Sequence, residues 1–378
     1  MAPRPAAGET TTRRTRWLAA GLLLFLAMAA VADAPRDEFR RAYENYSASA
    51  EAGKYRDARK HAQRAYELGE QLFAEDSEEL AALSYNYGQM SLIGAGRRTE
   101  ERAVAAEILA EALSRFETVY GKQAPDLIPV LMDLGTARAD FGSAGPQRRQ
   151  YDRALKIAAS HYGKDSRRYA ELLTQAGSRI LTDARSPTSK KYLERGYETM
   201  RSIAGPEDPA TGYAAFWLGK YKMTGRHYKE AETYLSAALA TFAEPDNPEN
   251  QVELTTHAFL VEVYEELGRS ADATRHCQAI GRMSPVSANQ NYLPLFKRAP
   301  VYPVRAREMG QSGWVIVSFT VDEEGIVRNP EVVETHGADM FRTAALKAAS
   351  RFRYAPRFID GLPVATPDVL HRISFEIQ

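Results

Sequence analysis

One cysteine, Cys277, in 378 residues leaves this chain no internal disulfide and no multi-cysteine metal site. A lone thiol says little about redox compartment. Neither sign of charge is in excess: Lys plus Arg and Asp plus Glu both number 49, so no overall field would gather polyanions such as nucleic acid. Local basic pairs such as Arg148-Arg149 and Arg167-Arg168 read as solvated helix faces. Also lacking are G-x-S-x-G, H-E-x-x-H, a phosphate-binding glycine loop and histidines paired at ligand spacing, which ranks an enzyme well behind a binding protein. No cofactor, metal, small-molecule substrate or nucleic-acid partner is expected. What is present, 44% hydrophobic and 26% charged residues, is the composition of folded globular chains, at a length that accommodates two or more domains.

Only one stretch is long, apolar and uncharged. Arg13, Arg14 and Arg16 precede Trp17 to Ala32 (WLAAGLLLFLAMAAVA), and Ala30-Val31-Ala32 supplies small residues in A-x-A spacing. Sixteen helical residues rise about 24 Å, short of a hydrocarbon core of roughly 30 Å. The expectation is therefore a signal peptide over residues 1–32, cut after Ala32; a short membrane anchor, tilted or snorkelled into place, is the alternative. A cut after Ala34 would put Pro35 next to the scissile bond. Arg13-Arg14 has a twin-arginine look, but Trp17-Leu18 sits one residue too far along.

From Pro35 to about Pro285, Ala, Leu, Glu, Arg and Tyr recur at helical spacing, without β-branched alternation. A polar connector returns as Phe73-Ala-Glu-Asp-Ser, Tyr120-Gly-Lys-Gln-Ala-Pro, Tyr162-Gly-Lys-Asp-Ser, Ala204-Gly-Pro-Glu-Asp-Pro and Phe242-Ala-Glu-Pro-Asp-Asn-Pro. Gly121, Gly163 and Gly205 lie 42 residues apart, as expected of one stacked supersecondary unit. Second turns at Gly53, Gly96, 142–145, Ser186-Pro187, Gly225 and Gly268 make each unit a helix pair. In the best copy, small residues Gly219, Ala231 and Ala238 let two helices approach while Leu218, Tyr234 and Leu235 fill the space between them. Leu260, Tyr264, Gly268, Ala273 and Ile280 repeat those offsets, and Gly53, Tyr55, Ala58, Ala62 and Ala65 open the series. The pattern resembles tetratricopeptide repeats, particularly the longer kind of kinesin light chains, over roughly 250 residues. The resemblance implies a protein- or peptide-binding surface. His276-Cys277 is read as structural, because helix neighbours point about 100° apart and no second His or Cys follows at i+4.

Residues 286–293 are polar and suit a linker, and from Pro294 the periodicity changes. Gly313 to Asp322 alternates Val315, Val317, Phe319 and Val321 with Trp314, Ile316, Ser318 and Thr320. Asp322-Glu-Glu-Gly325 is a solvated turn, and Ile326 to Thr335 returns as its partner strand. Pro330 within it marks an edge or a bulge. A helix from Ala338, stopping before Pro356, presents Phe341, Ala344, Ala345, Ala348 and Phe352. Val369 to Ile377 forms the last strand, with Ile373, Phe375 and Ile377 inward. The fold expected is multidomain: an all-α tetratricopeptide-like array over 35–285, then a small α+β domain over 294–378, a ββαβ unit with a three-stranded antiparallel sheet and one helix.

Ala299-Pro-Val-Tyr302-Pro303, Gly310, Gly313, the Val315/Val317/Phe319/Val321 alternation, Asp322-x2-Gly325, Ala344-Ala345-Leu346-x-Ala348, Phe352-Arg-Tyr354-x-Pro356 and Gly361-x-Pro363-Val364 together resemble the C-terminal domain of TonB, the energy transducer. That resemblance implies a periplasmic interaction domain whose last strand pairs with an extended segment of an outer-membrane receptor. The backbone of Val369, Leu370, His371, Arg372, Ile373, Ser374 and Phe375 would carry the pairing, and an open sheet edge suits it. Tyr302, Pro303, Gly313, Asp322, Gly325, Pro356, Gly361 and Pro363 are the family-motif positions. The typical transducer also has an uncleaved inner-membrane helix with a polar His and a long Pro-rich spacer; this chain has no His, Ser or Thr in its apolar run and a folded array in place of the spacer. The expected partners are envelope proteins, including an outer-membrane receptor segment. The expected location is the periplasm; the alternative is a single-pass inner-membrane protein with a periplasmic body, coupled to a motor complex.

Overall fold

The polar connectors stop one helix pair, and four of the helices that follow them are capped by a side chain. Gly121, Gly163 and Gly205 take φ of 83°, 84° and 85°, a conformation that costs glycine no Cβ clash. Downstream, the Ser77 hydroxyl accepts from Leu80 N at 3.2 Å, Ser166 from Tyr169 N at 3.2 Å, Asp208 from Ala210 N at 2.9 Å and Asn250 from Glu253 N at 3.2 Å. Each bond satisfies a donor that a helix start leaves open, a contribution of about 1 kcal/mol. The computed structural model describes residues 34–377 except 97, 140–144, 243–249 and 284–291. The leader with Ala30 and Ala32, the connector after Phe242 and most of the 286–293 linker thus lie outside the described residues. The chain divides into two compact units, Met1–Ile203 and Ala204–Gln378.

The first unit holds helices α1 (Ala34–Glu51), α2 (Tyr55–Leu72), α3 (Glu78–Ala95), α4 (Thr99–Tyr120), α5 (Leu127–Ala137), α6 (Gly145–Tyr162), α7 (Arg167–Asp183) and α8 (Pro187–Ala204). Its largest apolar cluster runs from Ala81 through Phe116, Leu131 and Tyr151 to Tyr192. A polar network threads it. The Asp133 carboxylate accepts from the Tyr85 hydroxyl (2.8 Å), Gln89 Nε2 (3.1 Å) and Arg179 Nη2 (3.3 Å), while Arg179 Nη1 donates to the Met132 carbonyl at 2.7 Å. Partners from α3, α5 and α7 are tied together by charge-assisted bonds in a low-dielectric setting.

The second unit opens with α9 (Pro209–Thr224), α10 (Tyr228–Phe242), α11 (Gln251–Glu266) and α12 (Ser270–Met283). Gly219 is where α9 meets α10: a Cβ there would sit 2.7 Å from Leu235 Cγ, and Ala231, Leu235 and Ala238 are fully buried. Then come α13 (Val304–Glu308), β1 (Gly313–Val321), β2 (Val327–His336), α14 (Met340–Ala349), β3 (Arg357–Ile359), β4 (Leu362–Val364) and β5 (Thr366–Phe375). The architecture is a helical-repeat array followed by a small α+β domain. Its sheet is antiparallel in the order β2-β1-β5. Val315, Val317, Phe319 and Val321 pack beneath Phe341, Ala345, Ala348 and Phe352, with the Phe341 and Phe375 rings stacked at 4.3 Å.

Several boundaries differ from the sequence reading. The α14 helix ends at Ala349, and Phe352 to Tyr354 instead run extended: Arg353 bridges Phe296 on one side and Ile326 on the other. Around Gly361, β3 and β4 form a separate two-stranded hairpin outside the three-stranded sheet. The last strand begins earlier, at Thr366, because pairing resumes beyond a bulge at Pro367-Asp368, where Asp368 has φ 57°. Pro330 sits at a second bulge beside Asn329 (φ 50°), on an edge strand. Both prolines therefore stand where no ladder donor is required.

The module also rests on α11 and α12. Arg353 Nε meets Glu265 Oε1 at 2.6 Å with both side chains largely buried, and Arg298 pairs with Glu266 at 3.0 Å. At Gly281 a Cβ would fall 2.4 Å from the Pro356 carbonyl oxygen, so α12 and the segment before β3 touch through backbone.

Candidate functional site

With β1 central, β5 pairs on one side only, and among the described residues no strand lies along its other side. Seven of its residues were singled out from sequence, and the burial pattern alternates through them. Val369, Ile373 and Phe375 are buried; Leu370, Arg372 and Ser374 are exposed; His371 is intermediate and packs edge-on against Phe352 at 5.3 Å. Burial, then the charge of Lys297, lowers the His371 pKa. The register Gly313↔Phe375 through Phe319↔Val369 is continuous, so the strand is held straight along that stretch. Side chains of the inward set anchor it, and its outer side pairs with no strand among the described residues.

The other motif positions build and brace this edge. Tyr302 donates to the Gln311 carbonyl and sets its ring edge-on to Phe341 (5.6 Å) and Phe375 (5.8 Å), buttressing the end of β5. Pro303 caps α13. Gly313 begins β1, where a Cβ would meet the His336 carbonyl oxygen at 2.1 Å. Asp322 gathers the turn: its carboxylate accepts from Glu324 N (3.0 Å), Ile326 N (2.8 Å) and Arg328 Nε (2.7 Å). Gly325 has φ 76°, and a Cβ would lie 2.1 Å from the Tyr354 carbonyl oxygen. The Pro356 carbonyl packs closely against Gly281 of α12, while Gly361 (φ 78°) and Pro363 form the β3–β4 hairpin. Ala30 and Ala32 lie outside the described residues.

Chemistry elsewhere is muted by burial. The Cys277 thiol is pushed up to about 12 by desolvation, far from a reactive thiolate. His276, beside it, meets His257 across α11 and α12, Nδ1 to Nδ1 at 2.7 Å. Nothing at i+4 announces that partner; only the pairing of α11 with α12 does. Among the described residues no three His, Cys, Asp or Glu side chains converge as a metal-ligand set. Nor is any described helix long and apolar enough to cross a membrane.

The fold and its open edge define a class: a helical-repeat protein ending in a small interaction domain. Residues 298–377 match the family described as Gram-negative bacterial TonB protein C-terminal, so the chain carries a TonB C-terminal domain behind its array of helix pairs. Over 94 residues it is 28% identical to Protein TonB of Vibrio cholerae serotype O1, covering 25% of this chain and 36% of that one. The TonB2 protein of Vibrio anguillarum is 33% identical over 25% of this chain and 90% of its own, with a TM-score of 0.20. The TPR-like repeats of a Podosopora anserina kinesin light chain are 12% identical over 67% of this chain and 97% of theirs, with a TM-score of 0.33. The chain spans 9% and 36% of the two curated relatives it matches. Homology of this domain supports a TonB-family role in protein interaction, and TonB-family proteins belong to the cell envelope.

Proposed function

We propose that this is an exported, periplasmic protein-interaction protein of the TonB family, not an enzyme, which captures an envelope partner by strand addition along β5. The repeats provide a second binding surface. The observation that carries the reading is the free side of β5, an edge strand anchored by the buried Val369, Ile373 and Phe375 and whose outer backbone groups have no strand partner among the described residues. The partner chemistry this favours is an extended segment of an outer-membrane receptor, which supplies N–H and C=O groups in register rather than a particular side chain.

Cysteine cross-linking tests it. In a Cys277→Ala background, Leu370→Cys, Arg372→Cys or Ser374→Cys should form disulfides with a cysteine in the N-terminal extended segment of a TonB-dependent receptor. Val333→Cys, on the opposite edge strand, should not. Cross-linking that is equal at both edges, or confined to β2, would rule the proposal out.

The 16-residue apolar run at 17–32 favours a second reading, an inner-membrane-anchored energy transducer for outer-membrane transport. It differs from the first in whether that run is retained in the mature protein and whether the body binds a motor complex.

A further inference from the structure

We infer that a groove between α6 and α8 docks an acidic, extended segment of a partner protein. The inference deepens the second-surface part of the reading above and stands apart from strand addition, since every residue in it belongs to the first unit.

The groove has a volume of about 500 Å³ and is formed by the second helices of two successive pairs, with α7 beneath them. Four cations reach it: Lys156 from α6, Lys164 from the connector, and Lys191 and Arg195 from α8, all exposed. Such a concentration is notable on a chain whose charges balance at 49 of each sign. Among the described residues, Lys156, Lys164 and Lys191 form no ion pair. Arg195 has only a loose one, 3.7 Å to an Asp165 that is 89% exposed.

Among the described residues Asp152 is the single carboxylate in the lining, and it is already engaged. It accepts from the Tyr192 hydroxyl within the groove and from Arg148 Nε at 3.2 Å outside it. Four ammonium or guanidinium groups therefore face a recess whose one carboxylate among the described residues is ion-paired to Arg148, and their potentials add over a few ångströms because a concave low-dielectric wall focuses them. Beneath them lie Leu155 and Leu173, both buried, and the half-buried Tyr169. That floor is apolar at its centre and cationic at its rim, and it fits a segment that alternates carboxylates with an apolar side chain. A compact phosphate would use the charge and leave the floor empty. The spread of the four cations over α6, the connector and α8 likewise favours a chain over a point anion.

The test uses the full-length protein and a fluorescein-labelled peptide of alternating Glu and Leu, titrated by anisotropy. K156E/K191E/R195E should weaken binding roughly tenfold, as several lost cross-interface charge contacts would, while circular dichroism and thermal midpoint stay close to those of the parent. R56E/R59E/K60E on α2, an equal change in net charge, should leave binding intact. Ile373→Pro should leave it intact too, which separates this proposal from the one on β5. Equal weakening by both triple variants would overturn the site, and so would competition by inorganic phosphate or a labelled oligothymidine at matched charge.

Discussion

Two imidazoles in contact through Nδ1 at 2.7 Å require one donor and one acceptor, and two imidazolium ions cannot share that arrangement. Burial lowers both His257 and His276 to about 4, and for His276 the charge of His257 adds to it. Glu253 lies 3.8 Å from His257 on its own helix, Asp272 and Arg275 flank His276, and Tyr264 stacks on the His276 ring at 5.3 Å. Because the folded state binds protons less readily than the unfolded chain, whose histidines titrate near 6.5, the pair's stabilising contribution is complete above that pH. It is lost progressively as pH falls towards 4. Urea midpoints measured from pH 7 to pH 4 should decline, and H257F/H276F should flatten the part of the decline that belongs to this pair.

Gly325 belongs to the same scale. Its φ of 76° and the Tyr354 carbonyl, 2.1 Å from where a Cβ would stand, leave no room for alanine. Gly325→Ala should destabilise the C-terminal module by roughly 1–3 kcal/mol, the cost of a left-handed, crowded position, read as a lower urea midpoint of near-ultraviolet dichroism. This glycine was legible in the sequence because a tight turn between two alternating strands demands positive φ. The histidine contact was not, since 19 residues and a helix reversal separate its partners.

At the scale of elements, β1 and β5 were visible as period-two apolar alternation, and the helix pairs as recurring small residues between polar connectors. Less visible was where each element stops. Phe352 to Tyr354 carry the apolar stripe of α14 onward, yet the chain leaves the helix because Arg353 N donates to the Phe296 carbonyl at 3.0 Å and Tyr354 N to the Gly325 carbonyl at 2.9 Å. Non-local backbone partners outbid the helix there. The side chain of Arg353 then reaches Glu265, 88 residues earlier. Arg353→Ala would strand that carboxylate in a buried setting and should cost on the order of 3 kcal/mol, measured by chemical denaturation. Restoring apolar shape on both sides, as in R353M/E265L, should recover most of the loss. For β5, Ile373→Pro removes a backbone donor along with the side chain, whereas Ile373→Ala keeps the donor. Partner binding should fall further for the proline variant, and equal losses would mean that the edge backbone takes no part.

For the whole molecule, the decisive measurement is the mass and fractionation of the mature protein in cells. Export with cleavage after Ala32 gives a periplasmic species beginning at Asp33. An intact N-terminus in the inner-membrane fraction would instead support the anchored transducer. The sequence by itself determined the helix-pair rhythm, the polar connectors, the alternating strands and the family of the last 80 residues, because periodicity and turn chemistry are local and need no knowledge of neighbours. Only the tertiary structure decided that β1 is the central strand, that Arg353 reaches α11, that two histidines meet, and that Lys156, Lys164, Lys191 and Arg195 line one groove. These depend on how helices and strands stack, and stacking brings together residues whose spacing along the chain follows no period.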